Sequence, residues 1–550
     1  MSARARRAWL LAITAVAAVL RLGWPGLSPP GLNQDEAIGA WISWCLLKTG
    51  RDMTGQAWPI FYAHGIGDYP STLFFYVTMP FQAVGGLNVL TTRLPGEIAG
   101  IACVPLLYWV GARLFGPGTG LIAAGMLALN PWHLFLSRFG VGASLCPLQA
   151  LGALALMIKA GMPLVEPAAR AAPRPHVRWA TLAGLVAGVS CYGFHPMRLY
   201  FPALFLLLGA LLAPRWIRFW KEPGGRNAVL GFLLGFGVPV APLGVLHLTH
   251  SPIAHRWEMT RLWPAGAPPP TIVALVAQRW AEHFHPDFLF VRGDRFEIMK
   301  PIGQGEFGWY VLPLMLAGLV LTAARFRRHP PARVMLALLI AYPAGDVISR
   351  YISVHSLRSA PGAATLVLLA AWGAAGIGGW IARRRASWLR VAIAALLIAG
   401  LVFDGRFLVR FFGEWNRRPE IYFPYHTDLL QVARWLEPRL MDVDAVFCTV
   451  TGLNQPWSIL AVGTEHDPRL WFAEPRDRRE GEYDLYVRYG KMHFMYADWW
   501  VPEIQRLVHD GRPERVLFIV RPGELNLRQP IYVVRGPDGR DALWVVERTL

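Results

Sequence analysis

A chain of 550 residues with 54% hydrophobic residues, only 16% charged residues and a positive mean hydropathy is too apolar for an ordinary soluble protein. Its formal charge of +18, from 54 Lys plus Arg against 36 Asp plus Glu, would point to nucleic acid in a soluble chain. Here the basic residues lie in short clusters between apolar runs, the distribution of cytoplasmic loop anchors, so a membrane replaces nucleic acid as the expected partner.

The N-terminus carries Arg4, Arg6 and Arg7, then an apolar stretch from Ala8 to about Leu22. A signal peptide has the same outline, but no small-residue cleavage site stands before Trp24 and Pro25, so an uncleaved first span entering from the cytoplasm is expected. Asn33, Gln34, Asp35 and Glu36 follow, and Ile38, Trp41, Ile42, Cys45 and Leu46 then share one face of an interfacial amphipathic helix. Asp35 falls at or just before the start of that helix. It is either a helix cap or a general base, placed where a lipid-borne substrate would meet a water-borne acceptor.

Apolar runs suited to spanning begin near residues 8, 93, 119, 145, 179, 199, 228, 308, 334, 359 and 389, which gives about eleven spans. Basic clusters lie at Arg170, Arg174 and Arg178; at Arg215, Arg218, Lys221 and Arg226; at Arg325, Arg327, Arg328 and Arg333; and at Arg383, Arg384, Arg385 and Arg390. All are assigned to the cytoplasmic side, and two apolar runs separate each neighbouring pair. A crossing by the aromatic run Ser71 to Val84 would break this parity, so that run is expected to be re-entrant or surface-lying. The first external loop then covers residues 23–91 and the second 250–305.

Beyond residue 404 the long apolar runs stop. Strand-like segments at Asp444 to Val450, Arg515 to Val520 and Ile531 to Val534, with a helical stretch near Leu429 to Leu436, predict a small α/β domain outside the cytoplasm. The expected fold class is therefore an α-helical polytopic membrane protein, with a transmembrane domain over 1–404 and an extracytoplasmic α/β domain over 405–550. No fixed-period repeat and no inverted pair of Gly/Pro-broken spans is visible.

Arginines recur at the external ends of spans, at Arg93, Arg138, Arg198, Arg350 and Arg358, with Lys300 in the second loop. An arginine at a bundle mouth is costly unless paired; a phosphate or pyrophosphate is its natural counter-ion, and snorkelling or pairing with Asp346, Asp294 or Glu297 is the structural alternative. His64, His195, His283, His285 and His355 lie on the same predicted side. His283 and His285 lack the spacing of a helical metal pair, so no metal site is assigned, and a requirement for a divalent cation stays open. The five cysteines, Cys45, Cys103, Cys146, Cys191 and Cys448, form no disulfide or metal pattern.

In order along the spans, several segments resemble the membrane glycosyltransferases of the C structural class, specifically the bacterial relatives of protein O-mannosyltransferases and aminoarabinose transferases (glycosyltransferase family 39). They are the acidic pair Asp35 and Glu36 after the first span, Asp68-Tyr69-Pro70 before an aromatic helix, Arg93-Leu94-Pro95 opening the second span, and Asn130-Pro131-Trp132 with Ser137-Arg138. Tyr192 through Arg198 to Pro202, Phe288 to Asp294, and His355-Leu357-Arg358 with Pro361 continue the likeness. The chain departs from the family at two places. Many relatives carry an acid shortly after the arginine matching Arg138, where this chain reads Phe139 to Ser144, and the aminoarabinose branch has a lysine where Tyr69 stands.

The resemblance implies a sugar carried on a polyprenyl phosphate in the inner (plasma) membrane and its transfer, with inversion, to a lipid, glycan or protein acceptor at the extracytoplasmic face. It implies Asp35 as catalytic base beside Glu36, and Arg93, Arg138, Arg198, Lys300 and Arg358 against the donor phosphate. His64, Tyr69, Asp294 and His355 then contact acceptor or sugar. Two rivals come from other classes. A secondary transporter would gather its acids and broken helices near the bilayer midplane, and a membrane-anchored binding or assembly protein would use the C-terminal domain alone.

Overall fold

A computed structural model describes residues 1–23, 26–166, 175–249, 257–258, 260–299, 304–351, 354–383, 387–479, 484–496, 500–511, 515–524 and 529–549. Contacts divide the chain into two units: Met1–Gly23 with Gly96–Arg410, and Trp24–Pro95 with Phe411–Leu550.

Helices dominate the first three-quarters of the chain, in the order α1 (Ala3–Leu22), α2 (Gln34–Thr49), α3 (Leu73–Gly85), α4 (Val89–Phe115), α5 (Pro117–Leu129), α6 (Pro131–Ser137), α7 (Cys146–Lys159), α8 (Val177–Ser190), α9 (Met197–Leu211), α10 (Ala213–Lys221) and α11 (Gly225–Leu248). Then come α12 (Pro269–Glu282), α13 (Leu312–Arg325), α14 (Pro330–Ala341), α15 (Pro361–Arg383) and α16 (Ser387–Val409). Prolines open α5, α6, α13 and α14, where a missing N–H costs nothing and the fixed φ suits the first turn.

By length and composition four helical segments can cross a membrane among the described residues: α4, Gly142–Lys159, α11 and α15. The bent pairs α5–α6 (61°) and α9–α10 (83°) raise that to six if each is one span. The aromatic run near residues 71–84 forms α3, whose 13 residues reach about 20 Å, short of a ~30 Å hydrocarbon layer.

Small residues bring the helices of the first unit into backbone contact. Gly184 and Gly188 of α8 lie against Phe232, Phe236 and Pro239 of α11, and Gly231 and Gly235 of α11 lie against Val177 and Thr181 of α8; a Cβ on Gly184 would stand 2.1 Å from the Phe232 carbonyl and one on Gly235 2.2 Å from that of Thr181. This four-residue spacing is the close-packing device of membrane helices, which gain little from hydrophobic burial and rely on van der Waals fit.

The second unit carries α17 (Pro419–Tyr422), α18 (Thr427–Leu436), α19 (Pro456–Gly463), α20 (Pro468–Ala473) and α21 (Trp500–Gly511) around a seven-stranded sheet. Its strands are β1 (Ala445–Cys448), β2 (Arg476–Arg479), β3 (Leu485–Tyr489), β4 (Met492–Phe494), β5 (Val516–Val520), β6 (Tyr532–Arg535) and β7 (Asp541–Arg548), in the order β2-β3-β4-β1-β5-β7-β6. The central trio β4-β1-β5 is parallel and the outer pairs are antiparallel. Every residue of β1 and β5 is buried, as expected of parallel strands covered on both faces. Ala445, Phe447, Val516, Phe518 and Trp500 form its core.

Candidate active site

In the second unit, the sequence Asn33-Gln34-Asp35-Glu36 builds a capping box at the start of α2. The Asn33 side chain accepts from the Asp35 N–H at 2.9 Å, while Glu36 Oε2 accepts from the Asn33 N–H at 3.1 Å. Two orphan donors of the first turn are thereby satisfied. Asp35 is exposed at this terminus, whose dipole favours its anionic form, whereas Glu36 is fully buried.

Arg93 meets Glu36 through two hydrogen bonds, Nε to Oε1 at 2.7 Å and Nη2 to Oε2 at 2.8 Å. Its remaining donors reach the carbonyls of Pro29 at 2.7 Å and Gly31 at 3.0 Å. Only 2% of its surface is exposed. The loop 26–33 is thus tied to the helix it precedes, and the exposed Asp35 sits one residue from a buried, fork-shaped ion pair. Gly31, at φ +54°, is required here: a Cβ would lie 2.2 Å from the Tyr425 carbonyl, which itself accepts from Leu32 N–H at 2.8 Å. Burial raises the Tyr425 hydroxyl pKa well above its ordinary value; the Glu36 carboxylate adds to the rise, Arg93 opposes it, and Asp35 adds again.

Helix α2 is braced within its unit by aromatic rings. Trp41 packs edge-on against Trp471 at 5.3 Å, Trp471 meets Trp457 at 5.6 Å, and Trp471 Nε1 donates to the Met53 carbonyl at 2.9 Å. His466 lies against Trp41 at 6.0 Å and Tyr489 at 5.0 Å. Burial lowers its pKa from 6.5 to about 4, with Asp467 opposing. A histidine with a depressed folded pKa stabilises fully above its unfolded value. That contribution is lost as pH falls from 6.5 to about 4, and it amounts to up to about 3 kcal/mol. We expect wild type to lose thermal stability across that interval and His466→Gln to lose correspondingly less; parallel pH profiles for the two proteins would refute the assignment.

His64 and Tyr69 come together in the same unit. Tyr62, His64 and Tyr69 form a three-ring cluster with centroids 5.4–5.6 Å apart. Thr54 Oγ1 lies 3.1 Å from His64 Nδ1, and buried Asp52 accepts from the His64 N–H at 3.0 Å.

In the first unit, Arg138 is 1% exposed and its Nη1 reaches the carbonyls of Leu20 at 3.0 Å, Arg21 at 2.5 Å and Gly23 at 2.9 Å. It thus caps the carboxyl end of α1, where carbonyls lack intrahelical partners. Arg198, in the first turn of α9, donates from Nε to the Cys191 carbonyl at 3.0 Å. Lys300 lies outside the described residues.

Arg358, His355 and Asp294 belong to one connected network. Asp346 is its hub: Oδ1 accepts from Arg358 Nε at 2.6 Å, and Oδ2 accepts from the His355 N–H at 2.8 Å and faces His283 Nε2 at 3.1 Å. Burial pushes the Asp346 carboxyl up, but His283, Arg358 and His355 outweigh it and hold the group well below the usual carboxylate range. Buried Asp294 accepts from the Ser356 N–H at 2.6 Å and the Phe296 N–H at 2.9 Å, and its Oδ2 stands 3.2 Å from His355 Nδ1. Burial raises this carboxyl too, and His355 with the two backbone N–H groups brings it below its ordinary value. Arg358 and His355 keep 18% and 15% of their side-chain surface exposed, so both are held from behind by buried acids while reaching solvent. Among the described residues no three His, Cys, Asp or Glu side chains are grouped to hold a metal ion.

No sequence family and no curated protein matches this chain. Among solved structures, ArnT from Cupriavidus metallidurans in the apo state aligns over 99% of this chain and 98% of its own, with a TM-score of 0.51 and 15% identity. The Archaeoglobus fulgidus oligosaccharyltransferase tethered with an acceptor peptide containing the NVT sequon aligns over 84% of this chain and 63% of its own, with a TM-score of 0.50 and 12% identity. The chain has the C-class membrane glycosyltransferase fold.

On that C-class fold, several residues of the two networks escaped the sequence reading. Asn33 and Tyr425 beside the acidic pair, and His283 and Ser356 beside Asp346 and Asp294, were not assigned a part. For Asn33 the signal was present, since Asn-x-x-Glu ahead of an apolar face is a capping-box pattern. For the others the partner lies 60 or more residues away in sequence, for example 62 between Ser356 and Asp294.

Proposed function

We propose that this chain is a membrane glycosyltransferase that moves a sugar from a polyprenyl-phosphate carrier to a hydroxyl or amine of a lipid, glycan or protein acceptor. The membrane region crosses the inner membrane about eleven times, with a cytoplasmic N-terminus. Transfer takes place at the extracytoplasmic face. One observation carries the reading: an exposed carboxylate, Asp35, fixed at a helix start by a buried capping box and ion pair, in a chain with this fold.

Asp35 takes the proton from the acceptor as its oxygen or nitrogen attacks the anomeric carbon. The bond from that carbon to the phosphate oxygen breaks, and the polyprenyl phosphate departs with the electron pair, so a single displacement inverts the centre. The leaving phosphate calls for fixed positive charge. We assign that part to Arg198 and Arg358, with Lys300, and assign the sugar and acceptor contacts to His355, Asp294, His64 and Tyr69. Arg93 and Arg138, whose guanidinium groups are engaged with Glu36 and with backbone carbonyls, act by holding the acidic loop and the end of α1.

The test is incubation of membranes containing the protein with a panel of polyprenyl-phosphate sugars, followed by mass analysis of the products. A mass increment of one sugar on an acceptor, dependent on the protein, is expected. Failure with every such donor would favour the transporter reading.

A further inference from the structure

One basic cluster has no part in the proposed chemistry. It contains α10, a nine-residue helix that leaves the end of α9 at 83°. At about 100° per residue its side chains sort into three directions. Phe219 is buried, Trp216 Nε1 donates to the Leu208 carbonyl at 3.1 Å, and Arg215 reaches the carbonyls of Pro163 at 3.1 Å and Val165 at 2.8 Å; this side holds the helix to its own unit. Ile217 and Trp220 point elsewhere, 60% and 43% exposed. Arg218 and Lys221 are exposed on a third side, next to the apolar pair.

Two further observations add positive charge to the same place. Arg226, on the first turn of α11, lies with its guanidinium 5.8 Å from the Trp220 ring. Arg333 donates to the Leu211 carbonyl at 3.3 Å and the Arg327 carbonyl at 2.8 Å, which brings the exposed Arg327 and Arg328 turn beside the junction of α9 and α10. The only acid between Arg215 and Arg226 is Glu222.

A short helix with this much charge is unstable in hydrocarbon, and one with an exposed Trp and Ile is poorly served by water. An interface satisfies both faces: the indole and the branched chain enter the acyl boundary while the cations remain at headgroup depth. We propose that α10 lies in the membrane surface and that Arg218, Lys221 and Arg226, around Trp220, bind the headgroup of an anionic phospholipid. Charge complementarity selects this occupant, since a zwitterionic headgroup offers the same cations an ammonium as well as a phosphate.

The full chain, purified in neutral detergent, is titrated with phosphatidylglycerol, phosphatidylcholine or inorganic phosphate while its thermal unfolding midpoint is followed. Phosphatidylglycerol is expected to raise the midpoint more than phosphatidylcholine, with the difference shrinking in high salt, and phosphate alone to leave it unchanged. The triple variant Arg218→Gln, Lys221→Gln, Arg226→Gln, all surface side chains, should need roughly a hundredfold more phosphatidylglycerol for the same shift. Equal responses to the two lipids, an equal response to phosphate, or a triple variant with the wild-type lipid response would each overturn the proposal. The readout does not involve sugar transfer, so it stands or fails apart from the catalytic reading.

Discussion

Asp35→Asn should lower the turnover number for sugar transfer by about 10² to 10⁴, the range lost when a positioned general base is removed. The substitution keeps size at an exposed position in the first turn of α2 and removes one charge that the helix terminus favours, so it should cost no more than about 1 kcal/mol of stability. Binding of a polyprenyl-phosphate sugar should also persist, because the amide still accepts hydrogen bonds and only proton removal is lost. The measurement is a comparison of initial transfer rates and donor affinity for the two purified proteins. Transfer at the wild-type rate would remove Asp35 from the mechanism.

Glu36→Ala should cost much more stability than Asp35→Asn, although the two residues are adjacent. Truncation leaves Arg93, 2% exposed, without its carboxylate partner and breaks the reciprocal half of the capping box. An uncompensated buried charge costs about 3–5 kcal/mol. Arg93→Ala should fall in the same range, and Arg93→Lys should not rescue it, since an ammonium cannot reproduce the two-pronged contact with Glu36 and the carbonyls of Pro29 and Gly31. Denaturant or thermal unfolding of each variant checks this. A Glu36→Ala protein as stable as wild type yet inactive in transfer would show that Glu36 acts on substrate directly.

The contrast between these neighbours shows where sequence reading reaches its limit. That an acidic pair opens a helix was legible, because Asn33 and Glu36 are three residues apart. The helix is not the interfacial amphipathic one expected: every residue from Glu36 to Leu46 is buried, so it is enclosed on all sides rather than lying with one face in water. Which acid is buried was not legible, because the answer depends on Arg93, 57 residues on. Arg138 gives the same lesson: at the end of an apolar run it reads as an anion-binding residue, and its guanidinium also reaches carbonyls at and just past the end of α1, 115–118 residues earlier.

The sheet was legible in part for a similar reason. The runs that became β1 and β5 are apolar at every position, which is what burial on both faces demands. Strand β2, Arg-Asp-Arg-Arg, carries no such pattern: it is an edge strand, three of its four residues are exposed, and its pairing with β3 is made by the backbone. That residues 26–95 pack with the C-terminal sheet region was likewise hidden, since nothing local marks Trp41 as the partner of Trp471, 430 residues further along the chain.

The most direct measurement supplies the purified chain with a synthetic polyprenyl-phosphate sugar of defined anomeric configuration and a simple alcohol or amine acceptor. Free polyprenyl phosphate and the configuration of the new glycoside are then followed together. The account predicts one phosphate released per glycoside formed, with the configuration inverted and both signals slowed in parallel by about 10² to 10⁴ in Asp35→Asn. A glycoside of retained configuration, or no consumption of any polyprenyl-phosphate sugar, would contradict it.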